Sequence, residues 1–385
     1  MDFSLTDEQE LLLESIDEFA ERYFSDEEAI KSWYKNYEFP VDICEAYRDA
    51  GFAYIGLPEE VGGVPCDNLT LGLMTERLYY KTGCYTPFMT TMLSTYDVVH
   101  FGTKEQSEMI MAEYEKNPRQ IICLAASEPA AGSDNAGMTS TAKRQPDGTY
   151  LLNGQKTWVT NGGITSYLLV IAKDEDPSRD NKNFSLWIVP TDSEGISFGH
   201  FEKHGQQVCP FVDVYMDNVR LTEDMRLGEA GKGWLMLMKN FEFERCLVVA
   251  QSLGLAEAAF EDMVNYANER EVFGKPLSAN PLIRDRIVEC QIIINNTKSE
   301  LYRCLWMLDQ GMSINEDVAC LKYYATRGCT KVVDDCISMY GGLGYTTEVR
   351  AGRIWGDIRG NEIGAGTNEV MSYIAGRSIV NRYKK

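Results

Sequence analysis

Apolar positions along this chain follow three successive rhythms. In residues 1–118 they recur at helical spacing. Leu11, Leu12, Ile16, Phe19 and Ala20 fall on one helical face, and Thr6 with Gln9 three residues later predicts a capping box at the start of that helix. Leu57-Pro58-Glu59-Glu60-Val61-Gly62-Gly63 reads as a loop from its proline and paired glycines, and the helical pattern resumes over 69–80. Near residue 119 the rhythm shortens. Asp147-Gly148 marks a hairpin, 167–172 and 184–189 are apolar strands, and 211–216 partly alternate, which predicts a small, mostly antiparallel β domain ending at residue 227. From Gly231 the helical period returns, with long helices expected over 247–267, 282–310, 315–340 and 370–383. The chain is therefore expected to be α+β in three parts: an N-terminal helical domain (1–118), a middle β domain (119–227) and a C-terminal four-helix bundle (228–385).

Composition narrows the function classes. Of 385 residues, 44% are hydrophobic, enough for a substantial core. The net charge of −21 argues against nucleic acid or an anionic membrane surface as partner. It would also attract cations, although a solvated acidic surface is the commoner meaning of such an excess. No run approaches the length of a membrane span, and the acidic start Met1-Asp2-Phe3 lacks the marks of a signal or transit peptide. The eleven cysteines form no C-x-x-C pair, and the three histidines (His100, His200, His204) do not sit near them at metal-ligand spacing. No metal site is expected. Buried thiols in a reducing, cytoplasmic setting are the expectation.

Two segments of the β region carry candidate chemistry. Ser127-Glu128-Pro129-Ala130-Ala131-Gly132-Ser133-Asp134 is a polar loop of small residues. Such a loop lets backbone N–H groups approach a phosphate or a flavin edge. Taken alone, a plain interstrand turn is the commoner meaning. Leu152-Asn153-Gly154-Gln155-Lys156-Thr157-Trp158-Val159-Thr160-Asn161-Gly162-Gly163 then combines a turn, a strand bearing a tryptophan and a second turn.

Together these segments resemble the two flavin-binding motifs of the acyl-CoA dehydrogenase family, with Ser127, Ala130 and Val159 as substitutions. Further matches follow in order: Arg270-Glu271-Val272-Phe273-Gly274, Met339-Tyr340-Gly341-Gly342-Leu343-Gly344, and Glu362-Ile363-Gly364-Ala365-Gly366-Thr367-Asn368-Glu369. The resemblance spans the whole chain and implies that family's fold, with a barrel-like middle domain, and FAD as cofactor. It implies that Trp158 packs on the isoalloxazine, that Ser127 and Thr160 bond its polar edge, and that Ser133 lies near the pyrophosphate. Arg270 and Phe273 would touch the flavin nucleotide of a neighbouring subunit, in a homotetramer. Gly341, Gly342, Thr367 and Glu369 would serve the nucleotide half. Two glutamines that usually help hold the adenosine are replaced by Pro281 and Ser338, which is expected to weaken FAD retention by a few hydrogen bonds of about 1 kcal/mol each.

The last motif lacks its usual base: Ala365 stands where the family carries a catalytic Glu, and Gly364 where it carries a Tyr. A minority of the family places its base where Glu244 stands, in Phe241-Glu242-Phe243-Glu244-Arg245. On composition alone, Glu244 reads as a surface or first-turn carboxylate paired with Arg245 or a lysine. With the resemblance it reads as the α-proton base, with Val248, Gln251 and Leu255 above it on its helical face. Ala365 would still contribute its backbone N–H to an oxyanion hole, Arg245 would support the site, and Glu242 and Gly364 would contact substrate.

The implied activity is FAD-dependent α,β-oxidoreduction of a short-chain acyl-CoA and its 2-enoyl-CoA, with hydride transfer at the flavin N5 and an electron-transferring flavoprotein as redox partner. Small residues at 364 and 365 favour a short or branched acyl group with a bulky head. The N-terminal Met1-Asp2-Phe3-x-Leu5-x-Asp7-Glu8-Gln9-Glu10-Leu11 and the small residue at 365 resemble the crotonobetainyl-CoA reductases within the family, which implies γ-butyrobetainyl-CoA and crotonobetainyl-CoA as the pair. A trimethylammonium head suits aromatic faces and carboxylates. Missing the usual base also leaves open a non-redox lyase or desulfinase on this scaffold, a non-catalytic acyl-CoA-binding protein, or an oxidase.

Overall fold

The computed structural model describes residues 4–117, 119–175 and 183–384. Six helices come first: α1 (Asp7–Phe24), α2 (Glu27–Asn36), α3 (Val41–Asp49), α4 (Asn68–Thr82), α5 (Phe88–Phe101) and α6 (Lys104–Glu113). The capping box at Thr6 and Gln9 is present. On α1, Ile16, Phe19 and Ala20 are buried as expected, but Leu11 is 64% exposed, because it stands at the edge of the face that meets the core.

Eight strands follow: β1 (Gln120–Ala125), β2 (Thr141–Arg144), β3 (Tyr150–Thr160), β4 (Thr165–Glu175), β5 (Phe184–Pro190), β6 (Ile196–His200), β7 (Phe211–Leu221) and β8 (Arg226–Leu227). They form one sheet in the order β6-β7-β3-β2-β4-β5-β8, with β1 beside β4. The β1–β4 and β2–β4 pairs are parallel and the others antiparallel. β4 and β5 read as unbroken apolar runs because both of their faces are covered. Leu168, Val170 and Trp187 join the core of the sheet itself, while Leu169, Ile171, Leu186 and Ile188 pack against α5, α6 and the next helix.

The C-terminal part holds α7 (Gly233–Glu269), a small hairpin of β9 (Glu271–Val272) and β10 (Lys275–Pro276), then α8 (Pro281–Asp309), α9 (Asn315–Tyr340), α10 (Ala351–Asn361) and α11 (Asn368–Arg382). Most of its buried residues share one core with α1–α5, while Met236 and Leu237 of α7 pack against the sheet and Ala319, Met371 and Ala375 form a small cluster between α9 and α11. Two features depart from the sequence expectation. α7 begins at Gly233, well before the 247–267 span, because Trp234 to Phe243, apolar on nearly every side, continues the same helix with a weaker amphipathic period. α10 adds a fifth helix, and its three glycines conceal it. A Cβ on Gly356 would lie 2.5 Å from the His204 carbonyl, and one on Gly360 would lie 2.6 Å from the Gln206 amide, so these residues seat the helix against the loop before β7. All eleven cysteines are free; nine are buried, whereas Cys66 is half-buried and Cys320 exposed.

Candidate active site

Two neighbouring segments of the sheet build a ledge. The Ser127 carbonyl accepts a hydrogen bond from the Thr157 N–H at 2.9 Å, tying the loop after β1 to β3. Beneath it, the wholly buried Lys156 donates to Glu128 at 2.9 Å and to the Ala126 carbonyl at 3.0 Å. Glu128 also accepts from the Thr139 N–H (2.6 Å), the Thr139 hydroxyl (2.8 Å) and the Ser140 N–H (2.9 Å). Burial raises the Glu128 carboxyl, but Lys156 and these donors outweigh it and hold it at about 2. The sheet register slips between Lys156 and Val159, and Trp158, inside the slip, has φ of 59°. A bulge of this kind re-aims a side chain. The indole leaves the sheet 57% exposed, with Phe201 behind it at 4.7 Å between ring centres.

Thr160 stands half-buried at the end of β3, and the next residue, Asn161, is fully buried with its Oδ1 unpartnered. Ser133 is exposed, and nothing lies within 4 Å of where a Cβ on Gly132 would stand. An exposed aromatic face, flanking hydroxyls, an orphan acceptor and an open small-residue loop fit a flat heteroaromatic ring with a phosphate tail.

The other nucleotide candidates lie at the surface of the helical part. Arg270 follows α7 and is exposed, and Phe273 stands fully in solvent at the tip of the β9–β10 hairpin with φ of 54°. Gly341 (φ 63°) and Gly342 are exposed after α9. Thr367 caps α11 by accepting from the Val370 N–H at 3.3 Å, and Glu369 is exposed in its first turn. Its own N–H and the Thr367 hydroxyl hold the Glu369 carboxyl below its ordinary value.

The second centre lies between α5, α7, α9 and the turn before α11. Glu244 falls well inside α7 and is half-buried, with Val248, Gln251 and Leu255 buried above it on its face. It is not a first-turn residue. Among the described residues no cation closes an ion pair on its carboxylate. Burial raises the Glu244 carboxyl, with Arg245 and Lys322 pulling the other way. Arg245, 5% exposed, donates from Nε to the Ala365 carbonyl at 3.3 Å. Lys322, wholly buried on α9, donates to the Gly366 carbonyl at 2.7 Å. Burial pushes that lysine down to about 8. Ala365 and Gly366 both have positive φ, 53° and 88°. Such a conformation costs a non-glycine residue about 1–2 kcal/mol, so the two cations pin a turn that would otherwise relax.

The structure thus brings Glu244, Arg245 and Ala365 together. Gly364 is exposed at the start of the same turn, with its N–H on the Gly360 carbonyl at 2.9 Å. Glu242 faces elsewhere: its carboxylate accepts from the Ile314 N–H at 3.2 Å and anchors the α8–α9 connection. Three buried residues had escaped the sequence reading. Lys322 occupies a position of α9 that the helical period assigns to an apolar side chain, between Val318 and Ala325. Asp97 does the same on α5, beside Val98. Lys156 sits within a recognised motif but acts from beneath it. A charge at an apolar position of the period is the signal that could have found the first two.

Models of the acyl-CoA dehydrogenase N-terminal, middle and C-terminal domains match residues 6–114, 123–219 and 231–380. The chain is 39% identical to the probable acyl-CoA dehydrogenase YdiO of Escherichia coli (strain K12) over 100% of both chains. It is 31% identical to the 3-(aryl)acrylate reductase of Clostridium sporogenes, covering 97% of this chain and 99% of that protein. Among solved structures, butyryl-CoA dehydrogenase from Megasphaera elsdenii superposes with a TM-score of 0.91 at 27% identity, covering 99% of this chain and 100% of that one. With all three domain models matched in order and the ledge and turn in place, the chain belongs to the acyl-CoA dehydrogenase family, a family of FAD-dependent oxidoreductases.

Proposed function

We propose that this protein interconverts a short-chain acyl-CoA and its 2-enoyl-CoA, with Glu244 exchanging the α-proton. The observation that carries this reading is the Glu244 carboxylate itself. It is half-buried, has no ion-pair partner among the described residues, and lies one residue from the arginine that holds the Ala365 carbonyl. Desolvation brings a carboxylate nearer to the acidity a general base needs. The Ala365 N–H does not depend on the side chain at 365. In a turn pinned by Arg245 and Lys322 it is a fixed donor for the thioester oxygen, whose growing charge must be stabilised as the proton leaves. FAD, when bound on the Trp158 ledge, would take the hydride from Cβ. In the reductive direction protonated Glu244 returns the α-proton; the relative named for reducing an aryl acrylate supports this direction on the same scaffold.

For the cofactor, Ser127, Trp158 and Thr160 would serve the ring and Ser133 the pyrophosphate. Gly341, Gly342, Thr367 and Glu369 would serve the nucleotide. Arg270 and Phe273 would reach a neighbouring copy. The fully exposed Phe273, with Tyr345 at 92% and Leu282 at 77% exposure, supports assembly into a homotetramer. Gly364 would border the substrate, whereas Glu242 is engaged with the start of α9. We assign an electron-transferring flavoprotein as redox partner and the cytoplasm as location, the latter from eleven free thiols. No described helix is long and apolar enough to cross a membrane. Small residues at 364 and 365 favour a compact, bulky-headed acyl group, and γ-butyrobetainyl-CoA with crotonobetainyl-CoA is the specific pair proposed. Anaerobic mixing of the FAD-loaded protein with γ-butyrobetainyl-CoA and, in parallel, butyryl-CoA tests both levels. Bleaching of the flavin by the first supports the pair. Bleaching by butyryl-CoA alone discards the cationic head, and silence with both discards dehydrogenation of these groups.

A further inference from the structure

Beside Glu244 lies a second polar point that the proposed chemistry leaves unused. Asp97, on α5, is 2% exposed, and Asn240, on α7, is 7% exposed and one helical turn before Glu244 on the same face. The Asn240 side chain hydrogen-bonds Asp97. Yet Asp97 Oδ1 and Asn240 Oδ1 are both buried with no partner among the described residues. Asn240 Oδ1 is an acceptor, and Asp97 Oδ1 is one whenever its carboxyl is ionised. The charged group facing Asp97 is another carboxylate, Glu244, while the cations Arg245 and Lys322 are turned to the Ala365–Gly366 carbonyls. The contact between α5 and α7 therefore buries two oxygens that no donor answers among the described residues. Buried polar groups are normally satisfied, and two orphan acceptors side by side ask for one positively polarised guest.

We infer that Asp97 and Asn240 are specificity residues that receive a hydrogen-bond-donating or cationic substituent on the acyl group. The inference rests on Glu244 as the base, because that places the acyl α-carbon next to this point. A substituent a few bonds further along the chain would then reach the two oxygens. A site built to bond such a group rejects the analogue that lacks it, since the acceptors are then left buried and unpaired. The pKa of Asp97, raised first by burial and then by Glu244, agrees with a carboxyl that lacks a compensating cation.

The test compares kcat/KM of the FAD-loaded enzyme for γ-butyrobetainyl-CoA (a cation without N–H), 4-hydroxybutyryl-CoA (a neutral donor) and pentanoyl-CoA (neither). Wild type is expected to favour at least one polar thioester over pentanoyl-CoA by about tenfold or more. Asp97→Leu should cut that ratio by a similar factor. A shift confined to the cationic thioester would identify ion pairing as the source, and one confined to the hydroxyl thioester would identify hydrogen bonding. Asn240→Leu reads the same ratio if Asp97→Leu does not fold, and the wild-type preference needs no variant. A wild type that prefers pentanoyl-CoA to both, or a ratio unmoved by either substitution, overturns the inference. Glu244→Gln separates the two levels. Loss of all turnover keeps the base assignment, whereas surviving turnover removes it and leaves Asp97 to stand or fall on the ratio alone.

Discussion

Two buried charge clusters in this molecule are built on opposite plans. Under the Trp158 ledge, Glu128 and Lys156 satisfy one another, and each is further bonded to neighbouring groups. Between α5, α7 and α9, Asp97, Glu244, Arg245 and Lys322 are also buried or half-buried, yet Glu244 carries no ion pair among the described residues and Asp97 keeps an orphan oxygen. A satisfied buried pair is a fixed strut. An unsatisfied one holds its groups in states that water would not allow, and their reactivity is the return for the stability given up. The contrast teaches which charge to read as scaffold and which as chemistry.

The largest expected effect tests the chemical side. Glu244→Gln keeps the shape and removes the proposed base, so flavin reduction by substrate should slow by about 10²–10⁴-fold while FAD absorbance and the melting temperature stay near wild type. Single-turnover stopped-flow measures the first and thermal melting the second. A loss below tenfold would leave Glu244 with a structural part only.

The scaffold side is next. Glu128→Ala strands a wholly buried ammonium, and breaking one partner of such a pair costs about 3–5 kcal/mol. Denaturant unfolding and FAD content should fall together. The same strut predicts a pH dependence. The Glu128 carboxyl is held at about 2, below the ordinary glutamate value of 4.5. Its contribution to stability is therefore complete above about 4.5 and is lost as the pH falls towards 2. Glu128→Ala should flatten that part of the acid-unfolding curve, and an unchanged curve would remove the ion pair from the account of the ledge.

Lys322 joins the two plans, since it satisfies a carbonyl and also faces the base. Lys322→Met leaves the half-buried Gly366 carbonyl without its donor, which costs about 1–3 kcal/mol, and lowers turnover by roughly tenfold if about 1.4 kcal/mol of that reaches the transition state. It also takes a cation from Glu244, so the ascending limb of the pH–rate profile should move to higher pH. In wild type the ammonium loses its charge above about 8, where burial has placed it. The descending limb expected there should vanish in the variant. A fall in stability without movement of either limb would make Lys322 a strut alone.

The motif residues of the ledge and the alanine at 365 were legible because each is a local pattern or a substitution within one. What stayed hidden was tertiary. Lys322 and Asp97 look like interruptions of apolar helices until α5, α7 and α9 meet around them. Glu128 and Lys156 stand among familiar neighbours, but their pairing across the sheet is not written in either segment. α10 was hidden by Gly352, Gly356 and Gly360, whose weak helix propensity is overridden by the close seat that the missing Cβ atoms allow. Glu242, adjacent in sequence to the active pair, serves the α9 start instead, because a helix turns its consecutive residues to different sides.

The smallest effect separates strain from side-chain chemistry at residue 365. Ala365 holds a left-handed conformation at φ 53°, which costs about 1–2 kcal/mol for an L residue. Glycine escapes that cost but gives up about 0.5–1 kcal/mol of backbone entropy on folding. Ala365→Gly should therefore stabilise the FAD-loaded protein by about 0.5–1 kcal/mol, read as a small rise in melting temperature. Because the backbone N–H is unchanged and Arg245 and Lys322 still pin the turn, kcat should stay within about twofold, a barrier change under 1 kcal/mol. A large loss of turnover with intact stability would show that those two cations do not by themselves fix the donor, and that the alanine's restricted backbone is part of how the oxyanion site is held.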